Sequence, residues 1–212
     1  NSVFAPPPHR LDLSAKATPY DIALQSIGQG FCDQTVLGMA LLAATAASPD
    51  GAIVSPTFET DAPRKVVGPF ITAQSAAQLR LLMRSVVEGG TASGAFAHLA
   101  GRVTSGGKTG TADRDVPVYN SQGKPVVDHV DKDGRTYYKS QGWTDSWYIG
   151  FAPADRPVIA YAVVVENGGE GSRAAAPIAA KLLEKAASLG YLSVARPSTR
   201  NGGRAEGLPR SR

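Results

Sequence analysis

Three stretches of the chain carry helical periodicity. Val36, Leu37, Ala40, Leu41 and Ala44 recur three and four residues apart behind Asp33, which reads as an N-cap, and Pro49 and Gly51 close the run. This predicts a helix over "DQTVLGMALLAATAAS" with that face buried. A second helix is expected from Thr72 to Glu88, with Leu79, Leu82, Met83, Val86 and Val87 on one side and Gly89 and Gly90 as its end. The third has Pro177 in its first turn, an apolar stripe of Ile178, Leu182, Ala186 and Leu189 with Leu183 beside it, and Gly190 as the stop. Between the second and third helices the period changes to two. "SWYIGFAP" puts Trp147, Ile149 and Phe151 on one face and Tyr148 on the other. "PVIAYAVVVEN" is nearly continuous in apolar residues, as in a buried strand, and "PADRP" joins the two as a hairpin turn. A third strand is expected in "RVTSGGKTGTA", and a short one in "AIVSPTF". Tyr20–Ser26 shows only a mixed pattern. Residues 113–145 are polar, with Gly123, Pro125, Gly134 and Gly142, and read as a long loop able to form its own hairpin. The fold class predicted is α+β, an antiparallel sheet flanked by helices.

Composition narrows the picture. At 212 residues and 42% hydrophobic, the chain can bury one sizeable core. No apolar run reaches the roughly 18 residues of a membrane span. Residues 1–19 read as a Pro-rich connector, with Pro6, Pro7, Pro8 and Pro19 and neither an initiator Met nor a signal-peptide pattern, so the chain reads as a fragment or a processed piece. Residues 20–192 form the domain. Residues 193–212 carry Arg196, Arg200, Arg204, Arg210 and Arg212 against Glu206, which accounts for the whole net charge of +4. That segment reads as a solvated, disordered tail; it lacks aromatics to stack on bases, so no nucleic-acid partner is expected. Cys32 is the single cysteine, expected to be a small buried residue, and His9, His98 and His129 share no metal-ligand spacing.

The candidate chemistry lies in "GGKTGT". An ammonium and two hydroxyls converge where glycines admit a close backbone, which is anion-binding chemistry. A phosphate loop is excluded by spacing, because Arg102 stands where its first glycine belongs, and by context, because "ADRDVPVYN" with Pro117 follows in place of a helix. The dinucleotide pattern fails in "GQGFCD", where Asp33 replaces the third glycine. A carboxylate fits: Lys108 on a strand projects into a cleft, Thr109 and Thr111 alternate with it, and Gly110 leaves room for a ligand backbone. This is the K-T-G element of serine acyl-transfer enzymes.

In order along the chain, "SIGQG", "QTVLGMA", "VVEGGTASGAF", "GKTGTA", "SWYIGFAP", "VIAYAVVVEN" and "AAPIAAKLLEKA" resemble the C-terminal part of a penicillin-binding protein transpeptidase domain, of the monofunctional class B type. The resemblance spans about Ser26 to Leu189. It implies Lys108 and Thr111 as catalytic residues and Lys108, Thr109, Gly110 and Thr111 as substrate-binding residues. Lys108 would hold the anionic end of the substrate, the threonine hydroxyls its carboxylate, and the Thr111 N–H would serve the oxyanion hole. The family implies D,D-transpeptidation of peptidoglycan stem peptides through an acyl-enzyme, with β-lactams as trapped mimics and no metal or organic cofactor. It also implies an extracytoplasmic location through an anchor outside this chain, and cell-wall machinery as a partner. The family's nucleophile, the serine of S-x-x-K, and its S-x-N motif belong upstream of "GQG", where residues 1–25 hold neither. "LSAK" has the wrong spacing. Ser105–Lys108 and Ser121–Lys124 match only formally. The upstream half of the domain is therefore the implied missing partner. The alternatives are a serine β-lactamase or β-lactam sensor domain, and a non-catalytic binding domain of the same fold. Trp147 is read as strand core, Tyr148 as sheet surface, Gln29 as a turn residue, Glu166 as an unpaired strand-end carboxylate, and Asp113 and Asp115 as loop charges.

Overall fold

The computed structural model describes residues 17–30, 32–57, 59, 62–63 and 65–192. The connector reading of residues 1–16, His9, and the basic-tail reading of 193–212 lie outside the described residues. Three helices and the strand-bearing segments appear where the periodicity puts them, with corrected ends. The stretch read as mixed, and the end of the connector, form helix α1 (Pro19–Ser26). Thr18 and Asp21 close a reciprocal capping box, with the Asp21 N–H donating to Thr18 Oγ1 at 3.2 Å and the Thr18 N–H to Asp21 Oδ2 at 2.8 Å. Helix α2 (Val36–Ala47) starts two residues later than expected, because Thr35 rather than Asp33 accepts an amide proton, from Gly38 at 3.0 Å.

Strands β1 (Ala52–Val54) and β2 (Val66–Pro69) pair antiparallel; β2 carries no sequence signal strong enough to have predicted it. Helix α3 (Ala73–Glu88) is capped by Thr72, whose hydroxyl accepts the Ser75 N–H at 3.0 Å. Its Arg80 donates to the last-turn carbonyls of α2, to Ala46 at 3.3 Å and to the Ser48 carbonyl at 2.8 Å, so it offsets the negative end of that helix and locks the two together. A single turn, α4 (Ser93–Phe96), and a 3-10 turn at Ala97–Leu99 follow.

The main sheet has the order β3 (Gly106–Pro117), β6 (Ser140–Ala152), β7 (Ile159–Val165), all antiparallel. Strand β3 runs well past Ala112. The polar stretch after it is therefore largely strand, its tip folded into the hairpin β4 (Val127–Val130) and β5 (Thr136–Tyr138). Helix α5 (Ala175–Ser188) covers one face of the sheet, and α2 and α3 cover the other.

Which faces are buried differs from expectation in all three helices. In α5 the buried side is Ala175, Ala176, Ala179, Ala180 and Leu183, while Ile178, Leu182 and Leu189 are exposed. Small residues let the helix approach the sheet closely, and the larger stripe is turned outward. In α2 the buried positions are Gly38, Ala43, Thr45 and Ala46, with Val36 and Leu37 exposed. In α3, Ala76 and Met83 are buried but Leu79 and Leu82 are exposed. The sheet carries the rest of the core. Tyr148, read as sheet surface, is fully buried with Phe96, Leu99, Tyr161 and the α5 alanines, whereas Trp147 is only partly buried. Phe151 packs on the opposite face with Met83 and Ala46. Cys32 is half-buried.

Candidate active site

The lysine segment occupies the start of β3, which among the described residues is an edge strand bonded only to β6. Its glycines have structural causes. A Cβ on Gly106 would stand 2.6 Å from the Phe151 ring, and one on Gly107 would stand 2.8 Å from the Ile149 carbonyl and closer still to the Tyr148 hydroxyl. Both glycines therefore make room for the chain's own buried aromatics, on opposite faces of the sheet. Gly110 was expected to admit a ligand backbone. Its missing side chain instead faces Trp147, 3.1 Å from where a Cβ would be. The backbone lying against Gly110 is the chain's own at Gly171, where an added Cβ would meet the Gly110 and Trp147 carbonyls at 2.5 Å.

Lys108 is exposed and paired across the sheet with Ile149. It stands at the mouth of an apolar crevice of about 560 Å³ between α2, α3 and the sheet, walled by Leu42, Phe70, Leu79, Met83 and Ile149. Its Nζ donates to the Thr109 carbonyl at 2.7 Å, so the ammonium reaches the open edge of β3. The Thr109 hydroxyl meets the Thr91 hydroxyl at 2.8 Å, which brings the "GGTA" turn after α3 onto the same edge. Thr111 Oγ1 accepts from the Gly171 N–H at 3.4 Å. The structure thus brings Lys108, Thr109, Gly110 and Thr111 together with two segments distant in sequence, the turn at Thr91 and the loop before α5.

That loop is itself anchored. Ser146, fully buried on β6, accepts the Ala175 N–H at 3.0 Å and donates to the Glu170 carbonyl at 3.0 Å. The first turn of α5 is satisfied from within the sheet, which fixes Gly171 over the strand. Farther along β3, Arg114 binds Asp145 and, at 3.2 Å, Glu166, with its guanidinium 5.1 Å from the Trp143 ring centroid. Glu166 is therefore a paired structural carboxylate. Asp113 sits in the strand and accepts the Thr144 hydroxyl at 2.8 Å. Neither Arg114 nor Glu166 carried a signal in the sequence, because their partners lie on three different strand segments.

Sequence reasoning also missed Gln29. Its side-chain amide crosses from the glycine turn after α1 and donates to the Thr111 carbonyl at 3.1 Å. The flanking Gly28 and Gly30 offered a signal, since a lone polar residue between glycines of a turn is presented outward.

Of the formal S-x-x-K matches, Ser105 is buried just before β3 and Ser121 lies in a turn between β3 and β4; neither sits on a helix. Among the described residues no cluster of His, Cys, Asp and Glu could hold a metal ion, and no helix is long and apolar enough to cross a membrane. His98 approaches Glu184 at 3.9 Å, and His129 stacks on Tyr137 with centroids 4.6 Å apart.

Comparison with known proteins matches the family model "Penicillin binding protein transpeptidase domain" over residues 10–184. The chain is 29% identical over 141 residues, 64% of its length, to the peptidoglycan D,D-transpeptidase MrdA of Haemophilus influenzae, of which it spans only 19%. Among solved structures it is similar to penicillin-binding protein A of Mycobacterium tuberculosis, with 29% identity, a TM-score of 0.56, and coverage of 79% of this chain and 35% of that one. That protein has also been solved as an acyl-enzyme with penicillin G. The fold is shared with PBP2 of Helicobacter pylori in its complex with MreC, at 24% identity and a TM-score of 0.60, covering 82% of this chain and 28% of that one.

Proposed function

The chain belongs to the penicillin-binding protein transpeptidase family, and from that premise we propose that it supplies the substrate-holding edge of a peptidoglycan D,D-transpeptidase site. The nucleophilic serine comes from the upstream half of the same domain. The observation that carries this reading is the open edge of β3. Lys108 Nζ, the Thr109 and Thr111 hydroxyls and the outward backbone of Thr111 all lie along it, beside an apolar crevice with room for another element.

In this reading the serine oxygen attacks the carbonyl between the two terminal D-alanines of a stem peptide. The resulting oxyanion is held by the Thr111 N–H, the intermediate collapses with loss of D-alanine, and the acyl group passes to the amine of a second stem peptide. Lys108 holds the substrate's terminal carboxylate with the threonine hydroxyls, and its charge favours deprotonation at the serine. A β-lactam reaches the same acyl-enzyme because its carboxylate and strained amide present the same two groups. The acyl-enzyme of the M. tuberculosis relative with penicillin G supports this, as does the D,D-transpeptidase description of the H. influenzae relative. We assign residues 20–192 to the C-terminal part of the domain. We place the protein on the outer face of the cytoplasmic membrane, held by an anchor outside this chain. The MreC complex of the H. pylori neighbour supports a partner in the cell-wall machinery.

The experiment is the second-order rate of acylation of the full-length protein by a fluorescent penicillin. Lys108→Ala removes a charge-assisted bond worth roughly 1.5–3 kcal/mol, expressed largely in the transition state, so the rate should fall about 10- to 100-fold. Lys108→Arg should restore charge but not full rate, because the planar guanidinium aims its donors differently. An unchanged rate in a folded Lys108→Ala protein refutes the assignment.

A further inference from the structure

Gln29 lies outside every helix and strand, yet it is tied at both ends. Its own N–H donates to the Leu24 carbonyl at 2.9 Å, and the Gly28 N–H donates to Gln25 at 3.0 Å, so the turn is fastened to the last turn of α1. Gly28 and Gly30 take φ of 80° and 70°, which closes the turn and turns the side chain between them toward β3. There Nε2 donates to the carbonyl of Thr111, 82 residues along the chain.

The direction of that carbonyl matters. Among the described strands β3 is bonded only to β6, so a carbonyl within reach of Gln29 points off the sheet. In an antiparallel strand the N–H and C=O of one residue point the same way. The Thr111 N–H therefore faces the open edge too. Thr109 is in the same phase, and its carbonyl is taken by Lys108 Nζ. The Thr109 and Thr111 carbonyls on this edge are thus held by the chain's own donors. What the edge offers outward is the N–H groups of Thr109 and Thr111, which suits a carbonyl oxygen gaining negative charge.

We propose that Gln29 is a positioning residue for acyl transfer. By holding the Thr111 carbonyl it fixes the tilt of β3 at Thr111, and with it the aim of the Thr111 N–H at the acyl-donor oxygen. The inference rests on the reading of this edge given above. An oxyanion donor acts only within a narrow range, about 2.7–3.1 Å from the charge it stabilises. An edge strand is braced by hydrogen bonds on one side only. Gln29 supplies the brace on the other side, at the residue where aim counts.

The test uses the full-length protein and a fluorescent penicillin, with the acylation rate constant and the pre-covalent affinity separated by rapid mixing. Gln29→Ala should lower the acylation rate constant about 10-fold and leave the affinity and the melting temperature nearly unchanged, because the brace acts on the transition state. Gln29→Glu is close to isosteric, but its ionised carboxylate has no proton to donate. Its rate relative to wild type should be low at pH 7.5 and should recover as the pH falls through the ordinary glutamate range, about 4.3, when the protonated acid donates again. Gln29→Ala should show no such recovery. The charged groups about this edge, Lys108 on β3 and the Glu170–Arg173 pair on the loop before α5, are common to wild type and variants, so the ratio cancels their titration. Wild-type acylation in Gln29→Ala, or a flat ratio for Gln29→Glu, overturns the proposal. Lys108→Ala run in parallel separates the two ideas. A slowed Lys108→Ala with an unaffected Gln29→Ala removes only the positioning role, whereas an unaffected Lys108→Ala removes the reading of the edge as well.

Discussion

Replacing Gly107 by alanine tests why a glycine precedes the lysine. The added Cβ would stand 2.8 Å from the Ile149 carbonyl and within the van der Waals envelope of the Tyr148 hydroxyl. Tyr148 has 0% exposure and is stacked between Phe96 and Tyr161, with ring centroids 5.3 Å and 6.1 Å away, so it cannot swing aside. The strain must be relieved by parting β3 from β6 at the Gly107–Gly150 pair. Overpacking a core commonly costs about 1–3 kcal/mol, and a clash with a locked ring and a backbone carbonyl belongs at the upper end, about 3 kcal/mol. For a domain of this size that corresponds to a loss of about 6–12 °C in melting temperature. Circular dichroism melts of the wild type, Gly107→Ala, Tyr148→Leu and the double variant measure it. Tyr148→Leu removes the ring atoms nearest the new methyl, so the double variant should lose at least about 1 kcal/mol less than the sum of the singles. A Gly107→Ala melt within about 2 °C of wild type, or strict additivity, would refute the packing account. Gly107 would then owe its presence to the ligand side of the strand after all.

Burial holds the Tyr148 and Tyr161 phenols well above their ordinary value of 10.0, the second also under the influence of the first. The folded state keeps protons that the unfolded chain releases above pH 10. Stability should be full below that pH and fall as it rises further, by up to roughly 1.4 kcal/mol per pH unit for each phenol; urea midpoints between pH 9 and 11.5 should show it, with a shallower fall in Tyr148→Phe. Arg114→Met takes the cation from the buried Asp145, which keeps the Asn167 N–H at 2.8 Å, and should destabilise by about 1–2 kcal/mol, since the guanidinium is itself partly solvated; an unchanged urea midpoint would count against the pair. Ser146→Ala strips the buried Ala175 N–H of its acceptor and should cost about 1–3 kcal/mol, with faster hydrogen exchange at the first turn of α5 as the local signature.

The period of a pattern and the identity of a buried face are different kinds of information. Spacing alone placed α3 and α5 and the strands at 146–151 and 159–165, because three- and four-residue recurrence and two-residue alternation follow from backbone geometry. The same spacing misassigned the inner side of α5. Its sequence has two apolar stripes, one of alanines and one of Ile178, Leu182 and Leu189, and size favours the second. The sheet chose the first, whose alanines bring the helix close over Tyr148 and Tyr161, with Leu183 buried beside them. Strand β3 outran its expected end for a related reason: Arg114 is a polar strand residue held by Asp145 and Glu166, partners that become neighbours only when β6 and β7 are in register.

The sequence by itself determined the fold class, the order of the three longer helices and the three main strands, the lysine motif with its residues Lys108, Thr109, Gly110 and Thr111, and the family, since each depends on local spacing or on motifs read in order. Only the tertiary structure decided what surrounds them. It turned Gly106 and Gly107 into cradles for the chain's own aromatics, laid Gly171 across Gly110, joined Thr91 to Thr109 and brought Gln29 to the Thr111 carbonyl. These are contacts between segments far apart in the chain. They depend on sheet register, helix depth and side-chain volume together, which no local pattern encodes.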